Sequence, residues 1–276
     1  MLRVLDLFSG IGGFSLGLER TGGFETVAFC EIDSKCRAVL SAHWPDASQS
    51  CDISDREFKR DEADIIVGGF PCQDISYAGK RAGLAGSRSG LFWEMVRAIC
   101  VVRPRYVIME NVAALLTGGM GVVVGALASN RYDAEWDCIS ASDVGAPHGR
   151  PRIWITATDA DGEQRSIRKL STVRRGERCA QEAEGLAPDA DGERELQPPR
   201  LLGDIWRRLV DGASRTVWSD HWQAKFETLR GMDDGVPTRL DRARDSAAIG
   251  QLGNAVVPQI PELIGRAILE AERLAA

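Results

Sequence analysis

Apolar and polar positions follow two alternating periods along residues 1 to about 157. Short apolar runs, typical of buried strands, alternate with stretches in which apolar residues recur every three or four positions, as in amphipathic helices. The pattern predicts strands at 3–8, 26–31, 64–68, 105–110, 136–140 and 152–156, and helices at 14–20, 33–43, 91–102 and 113–130. This alternation indicates an α/β fold with a doubly wound, mostly parallel sheet.

The periodic pattern ends near Thr158, and residues 158–240 are polar and rich in Arg and Glu. We interpret them as a small, irregular second domain. The sequence Asp-Ala-Asp-Gly-Glu occurs at 159–163 and again at 189–193. It lacks the twelve-residue ligand spacing of a calcium loop, so we interpret it as a repeated solvated turn. Residues 241–276 return to the first domain and include an amphipathic helix predicted over 258–274.

Composition narrows the class of protein. The 276 residues are 44% hydrophobic and 27% charged, which excludes a wholly disordered chain, a collagen and a coiled coil. No apolar run reaches the roughly 18 residues of a membrane span. The formal net charge of -6 argues against a simple basic nucleic-acid binder. Asp6 interrupts the apolar stretch that a signal peptide would need, so we expect a cytoplasmic protein.

The seven cysteines include no C-x-x-C pair, and their odd number leaves at least one unpaired. We expect reduced thiols, most of them buried as small apolar side chains. Cys72 differs because it follows Pro71 just past a predicted strand, in the region where ligands bind in such sheets. The glycine-rich segment from Cys72 to Gly90 carries basic residues and would suit a loop that closes over a substrate.

Two further strand ends suggest a binding site for a nucleotide-like ligand. The glycine-rich turn within residues 6–14 would bring backbone close to a ligand, although its spacing is not G-x-G-x-x-G and a simple tight turn is the alternative. Glu31, at the next strand end, is placed to bind ribose hydroxyls, and Ile32 could pack on a purine. Asp52, after a third strand, could accept a hydrogen bond from an adenine amino group. The alternative interpretations are a helix cap for Asp33 and a turn former for Asp52.

Acidic and basic side chains follow later strands. Glu110 ends the strand predicted at 105–110, and its carboxyl could stay protonated in an apolar pocket and donate to a ring nitrogen. An ordinary strand-end acid is the alternative. Alternation along a strand would put Arg150 and Arg152 on one face, where two guanidinium groups could hold a base carbonyl and a phosphate. The alternative is a pair of solvated arginines on an edge strand.

Taken together and in order, these segments resemble the DNA cytosine-C5 methyltransferases. The matching segments are DLFSGIGGF at 6–14, EID at 31–33, GGFPCQDIS at 68–76, SRSGLF at 87–92, ENV at 110–112, GRPR at 149–152 and GNAVVP at 253–258. The resemblance implies a Rossmann-like fold that uses S-adenosylmethionine and no metal. Residues 158–240 fall where the family keeps its variable target-recognition region.

The resemblance also implies residue roles. Cys72 matches the catalytic nucleophile, Glu110 the acid at cytosine N3, and Arg152 the contact to the base. Cofactor contacts are implied for Phe8, Gly10, Ile11, Gly12, Gly13, Glu31, Ile32, Asp52, Ile53, Pro71, Leu91, Asn254, Ala255 and Val256. DNA contacts are implied for Gln73, Ser76, Lys80, Arg81, Ser87, Arg88, Asn111 and Arg150, the last near the target phosphate.

The implied activity is methyl transfer to C5 of a flipped-out cytosine in double-stranded DNA through a covalent bond between Cys72 and C6. The implied setting is bacterial or phage DNA modification, with a restriction endonuclease of the same site as an open partner. We expect a monomer without a membrane segment. A tRNA cytosine-C5 methyltransferase and a catalytically silent DNA-binding module remain alternatives. A nicotinamide oxidoreductase is disfavoured by the glycine spacing.

Overall fold

The computed structural model of the chain describes residues 1–71, 90–146, 150–160 and 255–275. Within these residues a seven-stranded sheet has the order β3-β2-β1-β4-β5-β7-β6. The strands are β1 Leu2–Leu7, β2 Phe24–Cys30, β3 Ser48–Ser50, β4 Ile65–Gly68, β5 Tyr106–Val112, β6 Tyr132–Ser140 and β7 Pro151–Asp159. The helices are α1 Gly13–Glu19, α2 Ser34–His43, α3 Gly90–Val102, α4 Leu115–Gly118, α5 Met120–Ser129 and α6 Gln259–Ala275.

The direction of the strands confirms the predicted doubly wound, mostly parallel sheet. Five strands run parallel to one another: β3, β2, β1, β4 and β5. Strand β7 is antiparallel to both of its neighbours, β5 and β6. Because β7 is reversed, its first residues lie beside the last residues of β5, with Arg152 opposite Val112. Side chains from the start of β7 therefore reach the edge of the sheet at which the parallel strands end.

Helices cover both faces of the sheet, as expected for parallel strands that are buried on both sides. On one face, Phe14 and Leu18 of α1 and Ile260 and Ile264 of α6 pack with Ile108 of β5. On the other face, apolar residues of α3 and α5 pack against the alternate residues of the same strands. The first and last described helices therefore share one core.

Four elements differ most from the sequence prediction. The helix predicted at 113–130 is divided into α4 and α5, because the poor helix formers Gly118 and Gly119 stand at its centre. The short polar strand β3 lacks an apolar run that would reveal it. Strands β6 and β7 are longer than predicted, and β7 reaches Asp159. The predicted recognition region, apart from the end of β7 and residue 160, lies outside the described residues.

No helix of the described part of the chain combines the length and apolar character needed to cross a membrane.

Candidate active site

The carboxyl edge of the sheet gathers the loops that follow β1, β2, β3, β4 and β5, which is the usual ligand-binding edge of such folds. The reversed strand β7 adds its first residues to the same edge. Most of the described residues predicted for the site fall on these loops; Leu91 lies in α3, and Ala255 and Val256 precede α6.

The loop between β1 and α1 has a left-handed backbone at three positions: Phe8 with φ 55°, Gly10 with φ 55° and Gly12 with φ 86°. At Gly12 a Cβ atom would lie 2.6 Å from the ring of Trp44, so this glycine is required by both conformation and close packing. Trp44 is fixed in turn, because its Nε1 donates a 2.8 Å hydrogen bond to Glu19. The loop is therefore a tight turn with a firmly held backbone.

The buried carboxyl group of Asp6 connects the two ends of this loop. Asp6, near the end of β1, is fully buried and accepts a 2.7 Å hydrogen bond from Ser15 Oγ in α1. Burial raises the pKa of Asp6 to about 8, although hydrogen bonds from Ser15 and Ser9 oppose the shift. The group ties the end of β1 to the first turns of α1 on either side of the glycine-rich loop.

Glu31 joins the loops that follow β1 and β2. Its Oε2 accepts a 2.7 Å hydrogen bond from the backbone of Gly10, and its Oε1 accepts a 2.8 Å bond from the backbone of Asp33. Asp33 is the N-cap of α2, which confirms its interpretation as a helix cap. Between them Ile32 is 72% exposed, although Arg37 holds its carbonyl oxygen at 2.7 Å. The apolar side chain of Ile32 is therefore exposed to solvent on a loop whose backbone is fixed by hydrogen bonds.

The loop after β3 is held by an arginine from α3. Asp52 accepts a 2.9 Å hydrogen bond from the backbone of Ser54, as its interpretation as a turn former predicts. Ile53 is buried in the core rather than open to solvent. Arg97 donates to the carbonyl oxygens of Ile53 at 2.7 Å and Arg56 at 3.1 Å, and its guanidinium lies 4.8 Å from the centre of the Phe58 ring.

The loop after β4 leads toward Cys72. At Gly68 a Cβ would lie 2.6 Å from the carbonyl oxygen of Leu7, and at Gly69 it would lie 3.0 Å from Glu110 Oε2. The buried Asn111 donates from Nδ2 to the carbonyl oxygen of Phe70 at 3.1 Å. Asn111 is thereby engaged inside the protein in positioning the approach to Pro71, the last described residue before Cys72.

Glu110 and Arg152 form an ion pair at the end of β5, with Arg152 Nε 3.0 Å from Glu110 Oε1. The two residues are diagonal neighbours on one face of the β5–β7 ladder, in which Glu110 is opposite Trp154. The side chains are only 15% exposed for Glu110 and 25% exposed for Arg152. Burial raises the pKa of Glu110, whereas the charges of Arg152 and Arg150 oppose that shift.

Arg150 lines the same cavity as Glu110 and Arg152. It precedes β7 and has a left-handed backbone with φ 58°, so strand alternation does not explain its position. Burial and the neighbouring charge of Arg152 lower the pKa of Arg150. The edge-strand alternative is wrong, because β7 lies between β5 and β6. Two guanidinium groups and one carboxyl group thus face a cavity with a net positive charge.

Several predicted site residues lie outside the described residues: Cys72, Gln73, Ser76, Lys80, Arg81, Ser87, Arg88 and Asn254. Ala255 and Val256, which were predicted to close the cofactor pocket, precede α6 and line the cavity beside Glu110. At Gly13 a Cβ would lie 2.6 Å from the carbonyl oxygen of Val256, so this segment also contacts the start of α1.

Sequence reasoning missed two residues that hold the site. Arg97 pairs locally with Glu94 at 2.6 Å, but no local signal marks its contacts with the carbonyl oxygens of Ile53 and Arg56, which are more than 40 residues away in sequence. Trp154 follows Arg152 by two positions, so the expected alternation of β7 places the two on one face; its position beside Glu110 depends on the pairing of β7 with β5, for which the sequence has no local signal.

The chain is similar to a known protein family, to curated members of that family and to solved structures. The sequence profile of a family described as C-5 cytosine-specific DNA methylase matches residues 2–215. The Type II methyltransferase M1.ScrFI of Lactococcus lactis subsp. cremoris is 31% identical over 235 residues, which cover 83% of this chain and 55% of the relative. The Type II methyltransferase M.Eco47II of Escherichia coli is 30% identical over 261 residues, which cover 86% of this chain and 60% of the relative.

The chain therefore spans little more than half the length of these curated relatives. A solved structure described as a prophage-encoded DNA modification methyltransferase of E. coli has a TM-score of 0.59 at 20% identity, and the match covers 99% of this chain and all of the other. That likeness shows a shared fold. Since the family profile matches most of the sequence, the chain belongs to the C-5 cytosine-specific DNA methylase family.

Proposed function

We propose that this chain transfers a methyl group from S-adenosylmethionine to C5 of a cytosine flipped out of double-stranded DNA, through a covalent bond between Cys72 and C6. The observation that carries the proposal is the half-buried Glu110–Arg152 pair, whose carboxyl group lies against Gly69. Gly69 precedes Cys72 by three residues, so the chain can extend at most about 11 Å between their Cα atoms. Cys72 is therefore close along the chain to the glycine that lies against the carboxyl group of this pair.

The loops after β1 and β2 fit S-adenosylmethionine. Glu31 is fixed by two backbone hydrogen bonds and retains acceptor capacity for ribose hydroxyls. Ile32 offers an exposed apolar surface for the purine, and the glycine turn at 10–13 allows close approach of the ligand. When bound there, the cofactor supplies an electrophilic methyl group on its sulfonium.

C5 of cytosine is a weak nucleophile, so the base must first be activated. The thiolate of Cys72 adds to C6, which makes C5 enamine-like and able to accept the methyl group. Thiolate formation is favoured by nearby positive charge, which Arg150 and Arg152 would supply. Water then takes the C5 proton, and the electrons of that C–H bond restore the C5–C6 double bond as Cys72 leaves as a thiolate.

Glu110 and Arg152 stabilise the activated ring by hydrogen bonds at N3 and O2, respectively. Arg152 pairs with Glu110 and favours its ionised form. Movement of Arg152 toward O2 of an entering base would remove this stabilisation and favour uptake of a proton by Glu110. The ion pair then serves as a resting state that base entry converts into a donor pair.

Base flipping costs a few kcal/mol of unstacking and unpairing. We propose that contacts of Arg150 to a backbone phosphate, together with basic residues of segment 73–90, offset this cost. Residues 158–240 would select the DNA sequence, and residues 241–276 would return to close the cofactor pocket at Val256. Since the curated relatives are named Type II methyltransferases, a restriction endonuclease of the same specificity is the proposed companion.

The test is a covalent trap with duplex DNA that contains 5-fluorocytosine, because fluorine at C5 blocks the final elimination. In the presence of S-adenosylmethionine the wild-type chain should form a stable adduct, and Cys72→Ser should form none. The matched control is Cys51→Ser, which changes an exposed cysteine after β3 and should leave the adduct intact.

An adduct that survives Cys72→Ser would refute the assignment of the nucleophile. Absence of an adduct in the wild-type chain, with DNA binding retained, would support the silent binding module instead. Parallel assays with tRNA distinguish the RNA alternative. Bisulfite sequencing of host DNA after expression would identify the cytosine that is modified.

A further inference from the structure

We infer that Trp154 is a positioning residue that shields the Glu110 carboxyl from water and holds it in the state needed to serve the base. The inference rests on the proposed role of Glu110. Strand β7 would then position Arg152 and, through Trp154, also exclude water from Glu110.

The register of the sheet places the two side chains together. Glu110 and Trp154 are direct Cα partners in the antiparallel β5–β7 ladder, so their side chains project from the same face. Trp154 is 3% exposed and lines the cavity with Glu110, Arg150 and Arg152. A buried indole is thus the immediate cross-strand neighbour of the carboxyl group.

Trp154 is also in contact with the cofactor side of the molecule. Its ring centre lies 5.5 Å from that of Phe14, and the two rings meet at 63° in an edge-to-face arrangement. Phe14 is in the first turn of α1, directly after the glycine-rich loop. The indole is therefore clamped between the helix that follows the cofactor loop and the strand that carries the acid.

Within the described residues, the indole N–H does not secure the ring by a hydrogen bond. Nε1 of Trp154 is buried, and none of the described residues accepts a hydrogen bond from it. A buried tryptophan normally finds a partner for this group, because an unmade buried hydrogen bond is destabilising. The position of the indole is therefore set by its packing against Phe14 and its pairing with Glu110, and its apolar ring is the part that acts on the carboxyl group.

The charged groups around Glu110 favour its ionised form, and shielding by Trp154 must oppose this effect. Arg152 from β7 and Arg150 from the segment before it both favour the ionised carboxylate. Burial is the largest influence on Glu110, and it raises the pKa against both arginines. If water replaced the indole, the burial effect would weaken and the arginines would prevail.

The test is the titration of Glu110 in the full-length chain without DNA, followed by NMR of ¹³C-labelled glutamate carboxyl groups. The Glu110 signal is assigned by its loss in Glu110→Gln. Trp154→Gln removes the apolar wall and should lower the titration midpoint by about one pH unit or more. Trp154→Phe keeps the wall without the N–H group and should leave the midpoint close to that of the wild-type chain.

The control is Trp136→Gln, which changes an indole of β6 that packs against the core on the opposite face of the sheet. It should leave the Glu110 midpoint unchanged. Should Trp154→Gln fail to fold, Trp154→Leu supplies a smaller apolar wall, and its midpoint should fall between those of the Phe variant and a solvated carboxyl.

A midpoint that is insensitive to Trp154→Gln or Trp154→Leu would overturn the inference, as would an equal shift from Trp136→Gln. The titration needs neither DNA nor methyl transfer. A shifted midpoint in a chain without methyltransferase activity would refute the proposed function and leave the shielding by Trp154 intact.

Discussion

Replacing Gly17 by alanine probes the contact between α1 and α6. A Cβ atom at this position would lie 2.2 Å from the carbonyl oxygen of Pro258, 2.9 Å from Cβ of Pro261 and 3.0 Å from the backbone nitrogen of Glu262. Two of the three are backbone atoms at the start of α6, which cannot rotate away as a side chain would. The added methyl group must therefore push α6 outward.

Two opposing effects determine how much Gly17→Ala changes the free energy of unfolding. Alanine in a helix interior gains about 0.5–1 kcal/mol over glycine. Overpacking of a close contact costs about 1–3 kcal/mol, and the 2.2 Å approach to a carbonyl oxygen favours the upper part of that range. We expect Gly17→Ala to lower the free energy of unfolding by roughly 1–2 kcal/mol. Binding of S-adenosylhomocysteine should weaken as well, because Val256 would be displaced with α6.

The assay is urea denaturation of the full chain, with the midpoints compared at equal slope. The matched control is Gly125→Ala in α5, where an added Cβ meets no atom within 4 Å. That variant should raise the midpoint by an amount that corresponds to about 0.5–1 kcal/mol. If Gly17→Ala stabilised the chain as Gly125→Ala does, the close packing of α1 on α6 would be refuted.

Two further predictions concern Asp6 and Arg97, which hold loops that we propose to bind the cofactor. Because burial raises the pKa of Asp6 to about 8, the wild-type chain should lose stability as the pH rises from about 4, where the unfolded carboxyl ionises, to about 8. Asp6→Asn should flatten this dependence in urea midpoints measured from pH 5 to 8, whereas the exposed Asp46→Asn should preserve it; an unchanged slope in Asp6→Asn would contradict the buried state of the group. Arg97→Lys cannot keep both carbonyl contacts and the ring contact, so calorimetry should show S-adenosylhomocysteine binding weakened about tenfold, the equivalent of one charged hydrogen bond. The exposed Arg273→Lys is its control, and equal affinities in the two variants would exclude a role of Arg97 in holding the cofactor loop.

The sequence predicted the parts of the site that depend on local pattern. Apolar runs marked where β1, β2, β4 and β5 end, and polar residues after those ends marked the edge on which Glu31 and Glu110 lie. The N-cap of α2 followed from the position of Asp33 before an amphipathic stretch. Such features depend on a few neighbouring residues, and the printed sequence contains them in full.

Other features depend on contacts between distant residues. The reversal of β7 places Arg152 diagonally across from Glu110, and alternation along one strand cannot reveal which neighbour a strand has. Arg150 reached the same cavity by a left-handed turn rather than by strand alternation. The contacts of Arg97 and Trp154 likewise follow from the order of strands and the docking of helices.

The shared core of α1 and α6 has a consequence for synthesis of the chain. Roughly 240 residues separate the two helices, and at about 5–20 residues per second the ribosome needs roughly 10–50 s to add them. During that interval the apolar side of α1, including Phe14 and Leu18, lacks its final cover. The nascent protein should therefore depend on chaperones until α6 emerges, and an intermediate stalled on the ribosome before α6 should bind them more strongly than the released chain.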